Sequence, residues 1–308
     1  MLKFLRNLLR RVTGFLPLGV RKSIDIRFRA AAEMGKLRRA SLVVVSYPKS
    51  GRTWIRALLS YVLQQAYDLD TEELLGNRNY QSLDARAPVA FFTHDTYPRQ
   101  VYGDARVEAL YSSRKVILLV RDPRDVEVSD FFQVAYRGDP LKKRIYGQQA
   151  SGDGADVFAY LKWVFTRDEN ALVFLNRWAS MLGSDNVLVV RYEDLKVATV
   201  QQLQRICDFI GVDSSEAALQ AAADRASYSS MRKGEREGAF THQTSRFGSA
   251  GQRTDDAYKV RKGKVGGYRD YMTPAEAAEI DAIIDARLVP GFGYRSDETA
   301  TVAARAGR

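Results

Sequence analysis

Three short runs of apolar and β-branched residues predict buried strands. They lie at residues 41–47 (SLVVVSY), 115–121 (KVILLVR) and 186–192 (NVLVVRY). Unbroken apolar runs of this length are typical of strands covered on both faces in a parallel sheet. A polar turn and then apolar residues at helical spacing follow each run. This alternation predicts an α/β protein, a single domain in which helices flank a central parallel sheet.

The predicted helices have recognisable boundaries. The helix after the second strand is expected from about Asp125. An amphipathic helix is expected over residues 197–211, where Gly211 is suited to the C-terminal end. Another is predicted over residues 273–288, because the sequence TPAE at its start combines a capping threonine, a first-turn proline and a glutamate.

Two segments lack this periodicity. Residues 138–156 are polar and contain glycine, and residues 233–268 combine glycines with many charges. We expect a loop or insert at the first and a functional lid at the second. No internal repeat or interdomain linker is evident. The chain therefore divides into a basic arm, one folded domain and a polar tail, over residues 1–40, 41–295 and 296–308.

Most of the net positive charge belongs to the N-terminal arm. Residues 1–40 carry eleven lysines and arginines against Asp25 and Glu33, which is +9 of the chain's formal net charge of +10. Residues 1–12 are also amphipathic, a pattern suited to an anionic membrane surface. The alternatives are an arm that packs on the domain or stays disordered. Because the rest of the chain is nearly neutral, a nucleic-acid partner is not expected.

Cysteine and histidine are scarce. Cys207 is the single cysteine, and His94 and His242 are the two histidines. An internal disulfide and a zinc cluster of these residue types are therefore excluded. No apolar run reaches the ~18 residues that predict a membrane-spanning helix. We expect a cytoplasmic protein, held peripherally at the inner face of the membrane if the arm binds there.

A phosphate-binding sequence follows the first predicted strand. Residues 46–54 read SYPKSGRTW and lie between that strand and a predicted helix. Such a turn directs backbone N–H groups at an anion, while Lys49 adds a positive charge and Gly51 permits close backbone approach. The Walker A sequence GxxxxGK[ST] is absent. From these residues alone, a small-molecule kinase that uses ATP and Mg²⁺ stays open as an alternative.

The motif resembles the 5′-phosphosulfate loop of the sulfotransferases that use 3′-phosphoadenosine 5′-phosphosulfate (PAPS), whose usual form is YPKSGTTW. The resemblance covers most of the chain, from about residue 41 to residue 294, and implies a P-loop NTPase-like fold. The cofactor contacts that it implies are Lys49, Ser50, Gly51, Arg52, Thr53 and Trp54. Arg52 departs from the family pattern, because it replaces a threonine.

Two further segments resemble the family's 3′-phosphate site. They are RDPRDVEVS at residues 121–129 and RKG at residues 261–263, the second followed by Tyr268 where tryptophan is usual. A phosphate at the 3′ position distinguishes PAPS from ATP, so these segments favour a sulfotransferase over a kinase. The contacts that the resemblance implies are Arg121, Ser129, Arg261, Lys262 and Gly263.

Three aromatic or hydroxyl residues resemble adenine-binding positions of the family. Tyr192 ends the strand in the sequence VLVVRYED, and Ser227 and Tyr228 lie in ASYSSM at residues 226–231. Ala226 departs from the family, which commonly has a hydroxyl residue there. For Tyr192, ordinary packing at a strand end is an alternative role.

Sulfuryl transfer needs a base for the acceptor's proton and a positive charge for the leaving nucleotide. His94, in the sequence FFTHD, resembles the family's catalytic histidine in KTH, and an imidazole suits a base near neutral pH. Phe92 stands where many members have lysine, so a second cation is missing or comes from elsewhere. We expect Lys49, assisted by Ser129, to stabilise the leaving group. His242, in the predicted lid, is a weaker substrate-side candidate.

Together these residues predict an O-sulfotransferase that transfers a sulfuryl group in line from PAPS to an acceptor hydroxyl and releases adenosine 3′,5′-bisphosphate (PAP). No metal is expected, and Asp122 and Asp125 match structural positions of the family. Residues 139–160 and 233–260 are expected to shape the acceptor pocket. The basic arm favours a lipid, glycolipid or saccharide acceptor. The alternatives are the kinase and a non-catalytic nucleotide-binding protein docked at a membrane.

Overall fold

The computed structural model describes residues 13, 15–76, 79–137, 156–236 and 263–298. Within them, four strands form one parallel sheet in the order β2-β1-β3-β4. The strands are β1 Leu42–Ser46, β2 Ala90–Thr93, β3 Lys115–Val120 and β4 Val187–Arg191. The predicted single α/β domain with a central parallel sheet is therefore confirmed.

Helices cover both faces of the sheet. Short 3₁₀ turns also lie at Tyr80–Ser82, Ala179–Met181 and Gly267–Tyr271. The α-helices of the described ranges are α1 Leu18–Arg39, α2 Arg52–Ala66, α3 Thr96–Tyr102, α4 Asp104–Tyr111, α5 Pro123–Arg137, α6 Val157–Phe165, α7 Ala171–Trp178, α8 Tyr192–Val197, α9 Thr199–Ile210, α10 Glu216–Arg225, α11 Tyr228–Arg236 and α12 Pro274–Arg287.

The two faces of the sheet carry separate hydrophobic cores. In β1, Val43 and Val45 pack with α5, α6, α7 and α12, whereas Leu42 and Val44 pack with α2, α9 and α10. All four side chains are buried. Side chains of a strand alternate between the two faces, so a strand covered on both sides must be apolar at every position. This explains the unbroken apolar runs in the sequence.

Helix α1 packs on the body of the protein. Its buried residues include Ala30, Met34 and Leu37, and it lies against α3 and β2. The guanidinium of Arg114 donates to the carbonyl oxygen of Leu37 at 2.8 Å. This hydrogen bond satisfies one of the carbonyl groups that have no partner within the helix at its C-terminus. Residues 18–39 of the predicted basic arm are thus part of the folded structure.

The C-terminal helix has its predicted start. Thr273 and Glu276 form a capping box at the beginning of α12. Beyond the helix, the carboxylate of Glu298 accepts a hydrogen bond from the backbone N–H of Gly293 at 3.0 Å, and Ser296 N–H donates to Asp285 at 2.7 Å. The packed chain therefore extends past residue 295, where the tail was expected to begin.

Several predicted features lie outside the described residues. They are the amphipathic segment 1–12, most of the insert at 138–156, most of the lid at 233–268 and the tail from residue 299. In the part of the chain that is described, no helix has the length and hydrophobicity to cross a bilayer.

A buried ion pair follows strand β2. Asp95 has a left-handed backbone (φ 57°), and its carboxylate pairs with Arg99 and accepts a hydrogen bond from the Tyr111 hydroxyl at 2.8 Å. Burial raises the pKa of Asp95 to about 6, against the opposing effect of Arg99. Only 2% of the Arg99 side chain is exposed, so its loss would leave a buried carboxylate uncompensated.

We therefore predict that Arg99→Met lowers the free energy of unfolding by about 3–5 kcal/mol, measured by urea denaturation. The matched control is Arg86→Met. The Arg86 side chain is 75% exposed in its pair with Asp84, so its loss should cost much less stability than the loss of Arg99. Equal costs for the two variants would contradict the buried role of Arg99.

A second buried carboxyl, Glu127 of α5, lies beneath the turn that follows β1. It accepts hydrogen bonds from the backbone N–H of Ala171 at 2.8 Å and from the Tyr47 hydroxyl. Burial, with the neighbouring negative charge of Asp130, raises the pKa of Glu127 to about 8. The folded protein therefore holds a proton on Glu127 that the unfolded chain releases at lower pH.

An acid whose pKa is raised by folding costs stability as the pH rises from its unfolded value to its folded value. Glu127→Gln keeps an acceptor for Ala171 and removes the titration. We expect the melting temperature of this variant to rise relative to wild type between about pH 5 and about pH 8. Glu216→Gln, at an exposed position, is the control. If the difference in melting temperature between Glu127→Gln and wild type does not change with pH, Glu127 does not titrate in the folded protein as proposed.

Candidate active site

The candidate residues meet at one edge of the sheet. The turn 47–51 follows β1, His94 follows β2, Arg121 follows β3 and Tyr192 follows β4. Because the four strands are parallel, their carboxyl ends lie at the same edge. Ligand sites of open α/β sheets lie at this edge. The topology thus brings together segments that are separated by up to 145 residues in sequence, from residue 47 to residue 192.

The turn after β1 has a conformation suited to anion binding. Lys49 and Gly51 both have a positive φ, of 72° and 95°, and α2 begins at Arg52. The first N–H groups of a helix have no partner within the helix and point outward from its N-terminus. A Cβ on Gly51 would lie 2.7 Å from the ring of Tyr192, so this position requires glycine for space as well as for conformation.

Lys49 is held by a residue that the sequence analysis missed. Its ammonium donates a hydrogen bond to the side-chain oxygen of Gln133 at 2.8 Å. Gln133 lies on α5, one helical turn after Ser129, so both residues are on the face of α5 nearest Lys49. In the sequence, the spacing of four residues between Ser129 and Gln133 was the signal that could have identified Gln133.

Arg121 connects the turn to the other candidate segments. Its guanidinium donates to the carbonyl oxygen of Lys49 at 3.1 Å and lies 4.4 Å from the centre of the Tyr192 ring. It is 3.6 Å from the carboxylate of Asp125, at the long end of an ion pair. Its Nε is buried and has no hydrogen-bond partner.

The segment that begins at Gly263 is docked on α5 by Asp125. The two carboxylate oxygens of Asp125 accept hydrogen bonds from the backbone N–H groups of Gly266 at 2.8 Å and Tyr268 at 2.9 Å. Burial raises the pKa of Asp125. A Cβ on Gly263 would lie 3.0 Å from the ring of Tyr228. Arg261, Lys262 and His242 lie outside the described residues.

Asp122 contacts two neighbouring segments. Its carboxylate pairs with Arg124, and its backbone N–H donates to Glu193 at 2.9 Å. Glu193 also accepts a hydrogen bond from the Tyr294 hydroxyl at 2.8 Å. Within the ranges that the structure describes, no group of His, Cys, Asp and Glu side chains is arranged to hold a metal ion.

The aromatic candidates form one continuous group. The indole N–H of Trp54 donates to the carbonyl oxygen of Ala226 at 2.9 Å, which ties the start of α2 to the segment that contains Ser227 and Tyr228. The rings of Trp54 and Tyr192 lie edge to face with their centres 5.5 Å apart. Tyr192 is buried, whereas 44% of Tyr228 is exposed. The structure therefore places the predicted adenine residues beside the phosphate-binding turn.

The orientation of His94 suits a general base. Its Nδ1 lies 2.7 Å from the carbonyl oxygen of Ser46. A carbonyl oxygen only accepts hydrogen bonds, so Nδ1 carries the hydrogen and Nε2 is left as the proton acceptor. The neighbouring Thr93 donates to the carboxylate of Glu33 at 2.8 Å, a residue of α1 that the sequence analysis also missed. Burial raises the pKa of Glu33.

Two of the departures from the family pattern, Phe92 and Arg52, lie near a charged side chain. The guanidinium of Arg56, one turn into α2, lies 4.4 Å from the centre of the Phe92 ring. A cation therefore lies against the position where lysine was expected. The positive charge of Arg52 acts on Glu33, where it opposes the effect of burial on the pKa of that carboxyl.

Sequence comparisons match most of the chain to one family. Residues 39–292 match the sulfotransferase domain. Sulfotransferase 2A1 of Rattus norvegicus is 23% identical over 275 residues, which cover 82% of this chain and 85% of the relative. The 3-alpha-hydroxysteroid sulfotransferase of Cavia porcellus is 25% identical over 258 residues, which cover 80% of this chain and 83% of the relative.

Solved structures share the fold. Mouse sulfotransferase SULT7A1 complexed with PAP has a TM-score of 0.58 at 20% identity, over 90% of this chain and 94% of that one. Retinol dehydratase in a complex with retinol and PAP has a TM-score of 0.53 at 18% identity, over 80% of each chain. The fold is thus the P-loop-like fold of sulfotransferases. Because the domain match spans most of the sequence, this chain belongs to the sulfotransferase family and is an enzyme of that class.

Proposed function

We propose that this enzyme transfers the sulfuryl group of PAPS to an acceptor hydroxyl. The observation that carries the proposal is the meeting of Lys49, Arg121 and His94 at the carboxyl edge of one parallel sheet. The two structural relatives described above were solved with PAP, the product that PAPS leaves after transfer. A donor with phosphates at both the 5′ and 3′ positions fits two separate sets of cations.

The turn after β1 holds the 5′-phosphosulfate. Backbone N–H groups at the start of α2 and the hydroxyls of Ser50 and Thr53 face this anion, and Arg52 adds a second positive charge. Charge develops on the bridging oxygen of the leaving nucleotide as the sulfuryl group moves. Lys49, with Ser129, stabilises that charge. For this step the ammonium of Lys49 leaves Gln133, or shares its hydrogen bonds with it.

His94 accepts the proton of the acceptor hydroxyl at Nε2. The hydrogen bond from Nδ1 to the carbonyl oxygen of Ser46 sets the ring orientation, which a general base requires. The acceptor oxygen then lies on the side of the sulfuryl group opposite the leaving phosphate, as in-line transfer demands.

The nucleotide end is bound by the remaining candidates. Arg121, Ser129 and Gly263, together with Arg261 and Lys262 outside the described residues, hold the 3′-phosphate. The adenine lies among Trp54, Tyr192, Ser227 and Tyr228. These fixed cations and backbone groups replace a metal ion, so we propose that transfer needs no Mg²⁺.

The acceptor that we propose is a hydroxyl-bearing lipid, such as a sterol-like molecule or a glycolipid. One relative is named 3-alpha-hydroxysteroid sulfotransferase, and retinol dehydratase was solved in a complex with retinol; hydroxysteroids and retinol are both largely apolar alcohols. The basic N-terminal region supports an acceptor that resides in a membrane.

Loss of either catalytic side chain should abolish most of the activity. We predict that His94→Ala lowers kcat about 10²–10⁴-fold and Lys49→Ala about 10²–10³-fold. The assay is transfer of labelled sulfate from PAPS to hydroxysteroid, glycolipid and saccharide acceptors. EDTA should leave the wild-type rate unchanged. His94→Ala should still bind PAP, because the base does not touch the nucleotide.

Unchanged turnover of either variant would refute the assigned roles. A transfer rate that falls to zero in EDTA would favour a metal-dependent enzyme. If PAP does not raise the melting temperature of the wild-type protein, the donor is wrong; a ligand at 100 times its Kd adds about 2.7 kcal/mol to the folded state.

Membrane binding has a separate test. Phe15, Leu18 and Val20 are exposed large apolar residues near the start of α1, with 84%, 40% and 45% of each residue accessible. Arg21 and Lys22 follow them directly in sequence. An apolar group beside basic residues is suited to the surface of an anionic bilayer.

We predict that the protein co-sediments with vesicles that contain phosphatidylserine and not with neutral phosphatidylcholine vesicles. The triple change Phe15→Ser, Leu18→Ser and Val20→Ser should weaken this binding at least about tenfold. Val197→Ser, at another exposed apolar residue (88%), is the control. If the triple variant binds the vesicles as well as wild type does, Phe15, Leu18 and Val20 do not form the membrane contact.

A further inference from the structure

Lys196 lies at the rim of the donor site, although no motif drew attention to it. It belongs to the last turn of α8, four residues after Tyr192. A Cβ on Gly263 would lie 3.6 Å from the Lys196 ammonium and 3.0 Å from the ring of Tyr228. The ammonium therefore lies against the backbone at the start of the docked segment 263–268.

Lys196 and Arg121 form a pair of like charges. Partial burial, and after it the positive charge of Arg121, disfavours the ionised form of Lys196 and lowers its pKa, against the opposing effect of Asp125. Like charges that act on each other repel, and an anion that contacts both relieves this repulsion. A cation pair of this kind is therefore a candidate anion site.

The nearest carboxylate is already engaged. Both oxygens of Asp125 accept backbone hydrogen bonds from the docked segment, and its distance to Arg121 is 3.6 Å. Across the ranges that the structure describes, Lys196 has no hydrogen-bond or ion-pair partner. The Nε of Arg121 is buried without an acceptor. An oxyanion at this point would satisfy both groups.

We propose that Lys196 is a further donor-binding residue that contacts the 3′-phosphate of PAPS together with Arg121. The inference rests on the proposed function, since it assumes a nucleotide with a 3′-phosphate. The 5′ end of the nucleotide lies at Lys49 and the first turn of α2. Lys196 instead adjoins Gly263 and Tyr228, which belong to the nucleotide end of the site. Its exposed position also allows the side chain to swing onto the phosphate after the nucleotide has bound.

The test compares two ligands on four proteins by isothermal titration calorimetry. The ligands are PAP and adenosine 5′-monophosphate, which lacks the 3′-phosphate. The proteins are wild type, Lys196→Ala, Lys196→Arg and Lys115→Ala. Lys115 is an exposed lysine at the opposite, amino end of β3, so its loss removes the same charge far from the site.

We expect Lys196→Ala to weaken PAP binding about tenfold or more, as for loss of a charge-assisted hydrogen bond. Binding of adenosine 5′-monophosphate should be unchanged, and Lys115→Ala should match wild type for both ligands. Lys196→Arg should recover most of the affinity for PAP. Because Lys196 is exposed, the melting temperature of the unliganded variants should stay at the wild-type value.

Three outcomes overturn the proposal. Wild-type affinity of Lys196→Ala for PAP would show that Lys196 makes no phosphate contact. Equal losses for PAP and adenosine 5′-monophosphate would show that it does not recognise the 3′-phosphate. A wild-type protein that does not bind PAP at all would instead refute the proposed donor, and this proposal with it.

Discussion

The packing of Gly51 beneath the ring of Tyr192 is the contact on which the site depends. With a φ of 95° and no room for a Cβ, Gly51 lets the turn after β1 press against the end of β4. Arg121, from the strand between them, stacks on the same ring. One aromatic side chain thereby joins three strand ends, and the turn that faces the donor anion has little freedom to move.

Electrostatics in the site follow from how its carboxylates are used. Asp125 is buried beside Arg121 and accepts hydrogen bonds from backbone N–H groups of the segment 263–268, and Glu193 accepts one from the backbone N–H of Asp122. They hold the structure together more than they neutralise Arg121 or Lys196. A buried carboxylate that paired fully with these cations would compete with the nucleotide phosphates. The arrangement leaves positive charge available for an anionic ligand.

Helix α1 contributes to the site from outside the family-matched range. That range begins at residue 39, whereas Glu33 of α1 accepts a hydrogen bond from Thr93, the residue before the proposed base. The helix thus braces the end of β2, and it lies beside Arg52, a departure from the family motif.

The sequence by itself determined three of the four strands, all but β2, together with the phosphate-binding turn and most candidate residues. These features are local: buried strands need unbroken apolar runs, and a turn that approaches an anion needs glycine and cations at fixed spacing. The segments at residues 46–54 and 121–129 could therefore be recognised without a structure.

Only the tertiary structure decided which long-range partners these residues have. Gln133 beside Lys49, Arg56 on Phe92, Glu33 beside Thr93 and Lys196 against Gly263 all join distant segments. Such contacts depend on how helices pack across strand ends, and no local pattern encodes that geometry. For the same reason, the charge of residues 1–40 suggested a separate arm, whereas the burial of Met34 and Leu37 made α1 part of the domain.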